Sequence, residues 1–353
     1  NVKIYLACNI YSRNHEQSKI KEFLEKIGHI RPDAIIISDP GIIMLAQEII
    51  PHIDIHLSTQ ANTTNFNTVR FWQKLNITRV NLARELSLNE IKTIVENTEI
   101  ETETFIHGAM CISYSGRCLL SNFLTNRDSN RGLCSHPCRW KYAVVEELRP
   151  NEFHPVEEDS RGTYMFNSKD LCMIDHIPEL INAGISSLKI EGRMKGINYL
   201  ASVVKTYRNA IDAYAMDSGT YAVKEEWRKE LFQVFHRAYC TGFYFGNSEE
   251  QSPNYGNSHQ GKIHSFIGKI LKCYGEGRYL VEIRNKINIR DRVEVLSPNG
   301  PALESDIVEL SAPDQTPIEN AQPNTQAVIG LTHSFSPNDI IRKIDSQQPV
   351  TDS

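Results

Sequence analysis

The sequence predicts an α/β protein: a TIM-like (β/α)8 barrel lacking its first two β–α units, followed by a small C-terminal antiparallel β-barrel domain. Three observations predict it. Strand-like and helix-like stretches alternate through the first half, which implies parallel strands joined by helical crossovers. No Gly-rich phosphate loop follows the first strand, which argues against a dinucleotide fold. From about Gln260 the pattern changes to the period-two alternation of antiparallel strands.

The strand-like runs of the first half are Lys3–Ile10, Ala34–Asp39, Ile53–Ser58, Arg79–Ala83, Thr102–Ile106 and Ser187–Glu191. Between them, Glu16–Ile30 places Ile20, Phe23, Leu24 and Ile27 at helical spacing. A helix over Gly41–Ile50 starts behind Asp39-Pro40. Helices over Phe66–Leu75 and Leu88–Asn97 follow, the second opened by a capping box of Ser87 and Glu90. Asn198–Met216 is the longest helical stretch. A doubly wound sheet accepts these six units, whereas a barrel needs eight. The chain opens at Asn1 without Met and enters a strand at once, which reads as a piece lacking two units of a barrel.

Residues 108–172 interrupt the rhythm with an insertion rich in cysteine and charge, and a long loop in a compact enzyme is usually functional. The first domain is thus expected over 1–246, a polar linker over 247–260, the C-terminal β-barrel or sandwich over 261–345 and a frayed tail over 346–353. In the C-terminal part the strands are Lys262–Cys273, Arg278–Asn285, Asp291–Leu296, Ala327–Leu331 and Asp339–Ile344.

Composition narrows the function. The charged fraction of 23% and hydrophobic fraction of 40% are those of a globular protein, and no apolar run reaches eighteen residues, so no membrane partner is expected. A net charge of −5 gives no global basic signature for nucleic acid but leaves room for a local one. Five of the eight cysteines fall in the insertion: Cys111, Cys118, Cys134, Cys138 and Cys172. A chain of this size needs no disulfide staples, so thiols at this density read as ligands of an iron–sulfur cluster or zinc.

Other candidates sit at strand ends. Glu103 and His107 share a strand face and suit acid–base work, or form a polar pair satisfied by neighbouring loops. Lys189, Glu191 and Arg193 alternate along one strand end, where they would pair with one another or grip an anionic substrate. Arg84-Glu85 invites the same two readings. His236 and Arg237 precede Tyr239 and Phe243, a basic–aromatic mixture that suits RNA or a plain packed loop.

The run Glu103-Thr104-Phe105-Ile106-His107-Gly108-Ala109-Met110-Cys111, continuing to Gly116-Arg117-Cys118, resembles the signature of peptidase family U32. Ser38-Asp39-Pro40-Gly41, His56-Leu57-Ser58-Thr59-Gln60-Ala61-Asn62, Leu82-Ala83-Arg84-Glu85, Gly132-Leu133-Cys134, Pro137-Cys138-Arg139-Trp140 and Leu188-Lys189-Ile190-Glu191-Gly192-Arg193 are similar to that family as well. His236-Arg237 with Thr241-Gly242-Phe243-Tyr244-Phe245-Gly246 resembles its tRNA-hydroxylating branch. The resemblance implies oxygen-independent hydroxylation of a tRNA wobble uridine to 5-hydroxyuridine, with prephenate as co-substrate. It also implies a [4Fe–4S] cluster on Cys111, Cys118, Cys134 and Cys172, with Cys138 as the spare thiol, and a cytoplasmic location. Within that frame Glu103, His107 and Glu191 are the expected catalytic groups, and Arg84, Lys189, Arg193, His236 and Arg237 the expected substrate-binding groups. Arg131, Arg139, Lys141 and Lys195 are further expected phosphate contacts. The family name carries proteolysis as the alternative, and relatives that hydroxylate ribosomal RNA or a quinone precursor carry another. The sequence offers neither an HExxH zinc motif nor a GxSxG elbow.

Overall fold

A computed structural model describes residues 2–111, 113–114, 118–139, 143–146, 149–155, 169–246, 264–275 and 277–344. Lys141, the expected linker, the start of the strand expected from Lys262 and the expected tail lie outside the described residues. The chain divides into two compact units, Asn1–Glu191 with Arg237–Ser258, and Gly192–His236 with His259–Ser353.

The first unit is built on β1 (Tyr5–Ala7), α1 (Gln17–Ile30), β2 (Ala34–Ile37), α2 (Pro40–Ile49), β3 (Asp54–Leu57), α3 (Phe66–Lys74), β4 (Arg79–Asn81), α4 (Leu88–Glu96) and β5 (Glu101–Ala109). All five strands run parallel in the order β1-β2-β3-β4-β5. That order follows the sequence without the reversal that marks a doubly wound sheet. The helices start where local chemistry starts them. Asp39 caps α2 by accepting from the N–H groups of Gly41 and Ile42. Asn65 caps α3, and Ser87 with Glu90 forms the capping box of α4. Ala34, Ile35, Ile37, Ile55, Leu57 and Val80 of the strands and Leu24, Ile27, Ile43, Ala46, Val69 and Ile91 of the helices are buried.

Past β5 come α5 (Leu120–Thr125) and an antiparallel pair, β6 (Ala143–Glu146) with β7 (Arg149–Pro155). Then β8 (Asp170–Cys172), α6 (Ile177–Asn182), β9 (Ser187–Ile190) and β10 (Tyr239–Cys240) complete the unit. Strand β5 is long enough to hold two partners in succession. Residues 103–107 pair in parallel with β9, and 107–109 pair antiparallel with β8, which carries β10. Strands β8 and β10 have three and two residues and exist because β5 offers them an edge. A buried ion pair ties them: Arg237 donates to Asp170 from its guanidinium and, at 3.2 Å, from its backbone N–H.

The second unit holds α7 (Ile197–Met216), α8 (Glu225–Phe232) and the strands β11 (His264–Gly275), β12 (Arg278–Ile283), β13 (Ile287–Asn288), β14 (Arg292–Leu296), β15 (Leu303–Asp306), β16 (Glu309–Ser311), β17 (Asn320–Ala321), β18 (Thr325–Gly330) and β19 (Ile340–Ile344). Seven of the strands form one antiparallel sheet, β15-β14-β19-β11-β12-β18-β16, which curls as a half-barrel around Ile270, Tyr279, Val281, Val293, Val295, Ile329 and Ile341. Gly268 permits the pairing of β11 with β12, because a Cβ there would stand 2.0 Å from the Glu282 carbonyl oxygen. Arg342 on β19 is 0% exposed and bonds Ser202 of α7, Glu230 of α8 and Glu294 of β14. Burial opposes its charge, and the two carboxylates more than offset that, so its pKa is raised and that of Glu230 is lowered. Among the described residues no helix is long and apolar enough to cross a membrane.

Candidate active site

In parallel sheets the carboxyl ends of the strands are where loops carry chemistry. In the first unit those ends gather Asn9, Ser38, Ser58 and Gln60 past β1 to β3, Arg84 past β4, His107 on β5 and Glu191 past β9. Neighbouring strands lie roughly 4.8 Å apart, so the span from β3 to β5 is about 10 Å.

Arg84 is held at three points. Its Nη1 donates to the Ala109 carbonyl at 2.8 Å, its Nη2 lies 3.7 Å from a Glu191 carboxylate oxygen, and its guanidinium sits 3.7 Å from the centre of the Phe105 ring. Its Nε is buried and has no hydrogen-bond partner among the described residues. The result is a fixed, largely desolvated cation. Beneath it, the Tyr244 hydroxyl donates to the Phe105 carbonyl at 2.5 Å, and burial pushes that hydroxyl up to about 12. The turn that delivers Tyr244 needs Gly242, whose φ of 60° and close neighbours Leu171 and Met110 exclude a side chain.

His107 is buried and lies directly opposite Cys172 in the β5–β8 register, with its ring centre 5.3 Å from that of Tyr239. The Glu191 N–H donates to the His107 carbonyl at 2.8 Å, which fixes the loop after β9 beside it. Imidazole, carboxylate and guanidinium thus share one sheet end, a set able to move a proton next to an anion.

Glu103 is placed differently. It lies toward the start of β5 and accepts from Lys189 Nζ at 2.6 Å, Ser187 Oγ at 2.8 Å and Asn81 Nδ2 at 3.1 Å, with Arg79 at 3.6 Å. Burial pushes its carboxyl up, but Lys189, Ser187 and Arg79 together outweigh that and hold it below the usual carboxylate range. A carboxylate so bound is a poor proton acceptor, and Lys189 is committed to it. The neighbouring cavity of about 510 Å³ opens at the amino ends of β1 to β5, lined by Tyr5, His56, Arg79 and Glu101 among others. It lies at the opposite ends of the strands from Arg84 and His107.

The remaining candidates are dispersed. Arg237 is buried against Asp170 and presents no open guanidinium. Arg193 is exposed and His236 buried, both in the second unit, where Lys195 Nζ donates to the Phe235 carbonyl. Arg131 forks onto Glu16 at 2.7 and 2.9 Å. All eight cysteines are free thiols, and among the described residues no three Cys, His, Asp or Glu side chains converge to hold a metal ion. Cys111 is exposed, Cys118, Cys134 and Cys172 are half-buried, and Cys138 is buried. The donor set fits a cluster in chemistry, since thiolates are soft ligands, and not in convergence. Burial pushes the Cys8 thiol up to about 11 and also raises Cys240, so both are neutral near pH 7.

The sequence reading passed over one set, the uncharged polar residues Asn9, Ser38, Gln60 and Asn130. Ser38 Oγ lies 3.0 Å from the Asn9 carbonyl and 3.1 Å from Gln60 Oε1, and Asn130 Nδ2 reaches the same Gln60 oxygen at 3.2 Å. Ser38 and Gln60 lie in family-like runs just past strand ends, whereas Asn130 follows α5 and lies 70 residues from Gln60, so no local pattern joins them.

The family model for peptidase family U32 matches residues 1–254, and that for the peptidase family U32 C-terminal domain matches residues 262–342. The chain is 37% identical to a tRNA hydroxylation protein P1 of Bacillus subtilis, over 97% of this chain and 81% of that protein. It is 36% identical to a tRNA hydroxylation protein P of Haemophilus influenzae, over 84% of this chain and 74% of that protein. It is also 30% identical to a collagenase of Porphyromonas gingivalis, over 98% of this chain and 85% of that protein.

Proposed function

Because the chain belongs to peptidase family U32, we propose that it is an RNA-modifying enzyme that hydroxylates tRNA, converting a wobble uridine to 5-hydroxyuridine without molecular oxygen. The observation that carries this reading is the 37% identity, over 97% of the chain, to a protein named for tRNA hydroxylation. The unreversed order of the five parallel strands supports reading the first unit as part of a TIM-like (β/α)8 barrel with its site at the carboxyl ends. Prephenate is the proposed source of the hydroxyl, and a tRNA substrate implies a cytoplasmic location.

In this reading Arg84 binds a carboxylate of prephenate. Its cation is already oriented by Ala109, Glu191 and Phe105, so little ordering remains to be done on binding. His107 and Glu191 accept the proton that leaves C5 of the uracil as the hydroxyl takes its place. The uridine leaves its stack to reach them, as for other enzymes that act on a base. Cys111, Cys118, Cys134 and Cys172, or Cys138 in place of one of them, are the proposed thiolate ligands of a [4Fe–4S] cluster that would supply redox chemistry.

The test is mass spectrometry of tRNA nucleosides from cells lacking the gene, grown without oxygen. Loss of 5-hydroxyuridine derivatives, restored by the wild type and not by Cys111→Ala or Cys134→Ala, is expected. Nucleosides that do not change with the gene overturn the reading. Peptidase activity is the second reading, favoured by the collagenase relative and by the cross-strand placement of His107 and Cys172. It predicts gelatin hydrolysis that stops on alkylation of Cys172.

A further inference from the structure

The amide of Gln60 is oriented by a chain of hydrogen bonds whose direction is unambiguous. It begins at the Tyr11 backbone N–H, which can only donate, and which reaches Asn130 Oδ1 at 2.8 Å. With its oxygen so engaged, Asn130 turns its amino group to Gln60 and donates from Nδ2 to Gln60 Oε1 at 3.2 Å. Asn130 is itself held by its own N–H, bonded to Asp128 Oδ1 at 2.9 Å. Ser38 Oγ, 3.1 Å away, meets the same Gln60 oxygen. The flip ambiguity that attends most amides is therefore removed. Gln60 must present Nε2, with two protons, on its opposite side.

That amino group has no hydrogen-bond partner among the described residues, although Gln60 is only 9% exposed. The backbone of Gln60 is fixed too: its carbonyl accepts from Tyr11 Oη at 2.5 Å and from Asn62 Nδ2 at 3.2 Å. A pre-oriented donor that no protein group satisfies is free to meet an acceptor on a ligand. It stands past the carboxyl end of β3, two strands from His107, and the groups that meet its side-chain amide, Ser38 and Asn130, carry no charge. These groups suit a neutral carbonyl rather than an anion.

We propose that Gln60 reads the base of the substrate by donating from Nε2 to the O4 carbonyl of a uracil, with Tyr11 and Asn130 setting the direction of that amide. The inference rests on the proposed tRNA function for the identity of the ligand. A fixed donor at this point accepts uracil and opposes cytosine, whose exocyclic amino group would meet it proton to proton. Gln60→Glu replaces the donor by an acceptor, and a carboxylate accepts from the cytosine amino group. Asn130→Asp leaves Gln60 in place but offers it an acceptor instead of a donor. Gln60 then turns its amino group inward and shows its oxygen to the ligand.

The experiment measures binding of the full chain to two anticodon stem-loop RNAs that differ only in uridine or cytidine at the target position, by fluorescence anisotropy, and scores the same RNAs for 5-hydroxyuridine. The wild type is expected to favour the uridine loop by about tenfold. Gln60→Glu and Asn130→Asp are expected to abolish or invert that ratio, whatever they do to overall affinity. A wild type without preference, or variants that keep it, overturns the inference. A wild type that forms no 5-hydroxyuridine sinks the proposed reaction instead, while a ratio that responds to both variants upholds the reading of the base by Gln60.

Discussion

Lys189→Met tests whether Glu103 is a structural counter-ion or a proton acceptor. The substitution keeps most of the side-chain volume and removes one of four groups around the carboxylate. Loss of one partner from a fully buried pair costs about 3–5 kcal/mol. Here Lys189 is 27% exposed, and Ser187, Asn81 and Arg79 remain, so the expected loss is about 2 kcal/mol, within the range of a hydrogen bond to a charged group. The pH dependence carries the sign. A carboxyl held below its unfolded value adds stability above the ordinary carboxylate range and loses it as pH falls through the lower folded value. Lys189→Met removes a main cause of that depression, so the two proteins should differ most near pH 7 and least at a pH below the lowered folded value, the difference beginning to shrink only below about pH 4, where the unfolded carboxyl takes up its proton. Urea unfolding followed by fluorescence at both pH values measures this, with Glu103→Gln and the double variant closing a thermodynamic cycle. A loss below about 0.5 kcal/mol at pH 7, or one that does not change with pH, would refute the locked carboxylate and return Glu103 to acid–base duty.

Two further outcomes follow from the same kind of bookkeeping. Arg342→Leu strands Glu230 and Glu294 in the second unit and should cost about 3–5 kcal/mol in urea unfolding, whereas adding Glu230→Gln and Glu294→Gln to it should recover much of that loss. Arg84→Lys keeps the charge but not the planar contact with Phe105 or the fork between Ala109 and Glu191, so, under the proposed reaction, the KM for prephenate should rise about tenfold or more with a smaller change in kcat.

What the sequence made legible was what short-range chemistry decides. The helix starts at Asp39 and at Ser87 with Glu90 are capping signals spaced within four residues, and both form as read. The period-two runs of β12 and β14 bury alternate residues because each strand has one face on the core. Strands β8 and β10 were invisible, since three and two residues carry no period. They are selected by the exposed edge of β5 and by Arg237 meeting Asp170, 67 residues away. The position of Arg84 at a strand end was readable, but its contacts with Ala109, Phe105 and Glu191 were not. Glu103 and His107 looked equivalent because they share a strand face, yet Lys189, Ser187, Asn81 and Arg79 surround only Glu103.

The insertion shows why a list of reactive residue types underestimates a site. Its cysteines draw the eye, but the segment also carries Asp128, Asn130 and Arg131, which tie it to the ends of β1 to β3 through Tyr11, Gln60 and Glu16. Those contacts set which way the Gln60 amide faces. The segment that carries the thiols proposed as cluster ligands thus also orients a neutral donor at a sheet end, which joins reactive chemistry and choice of base in the proposed reaction. Asn130→Asp separates them, because it alters no cysteine and changes what Gln60 offers.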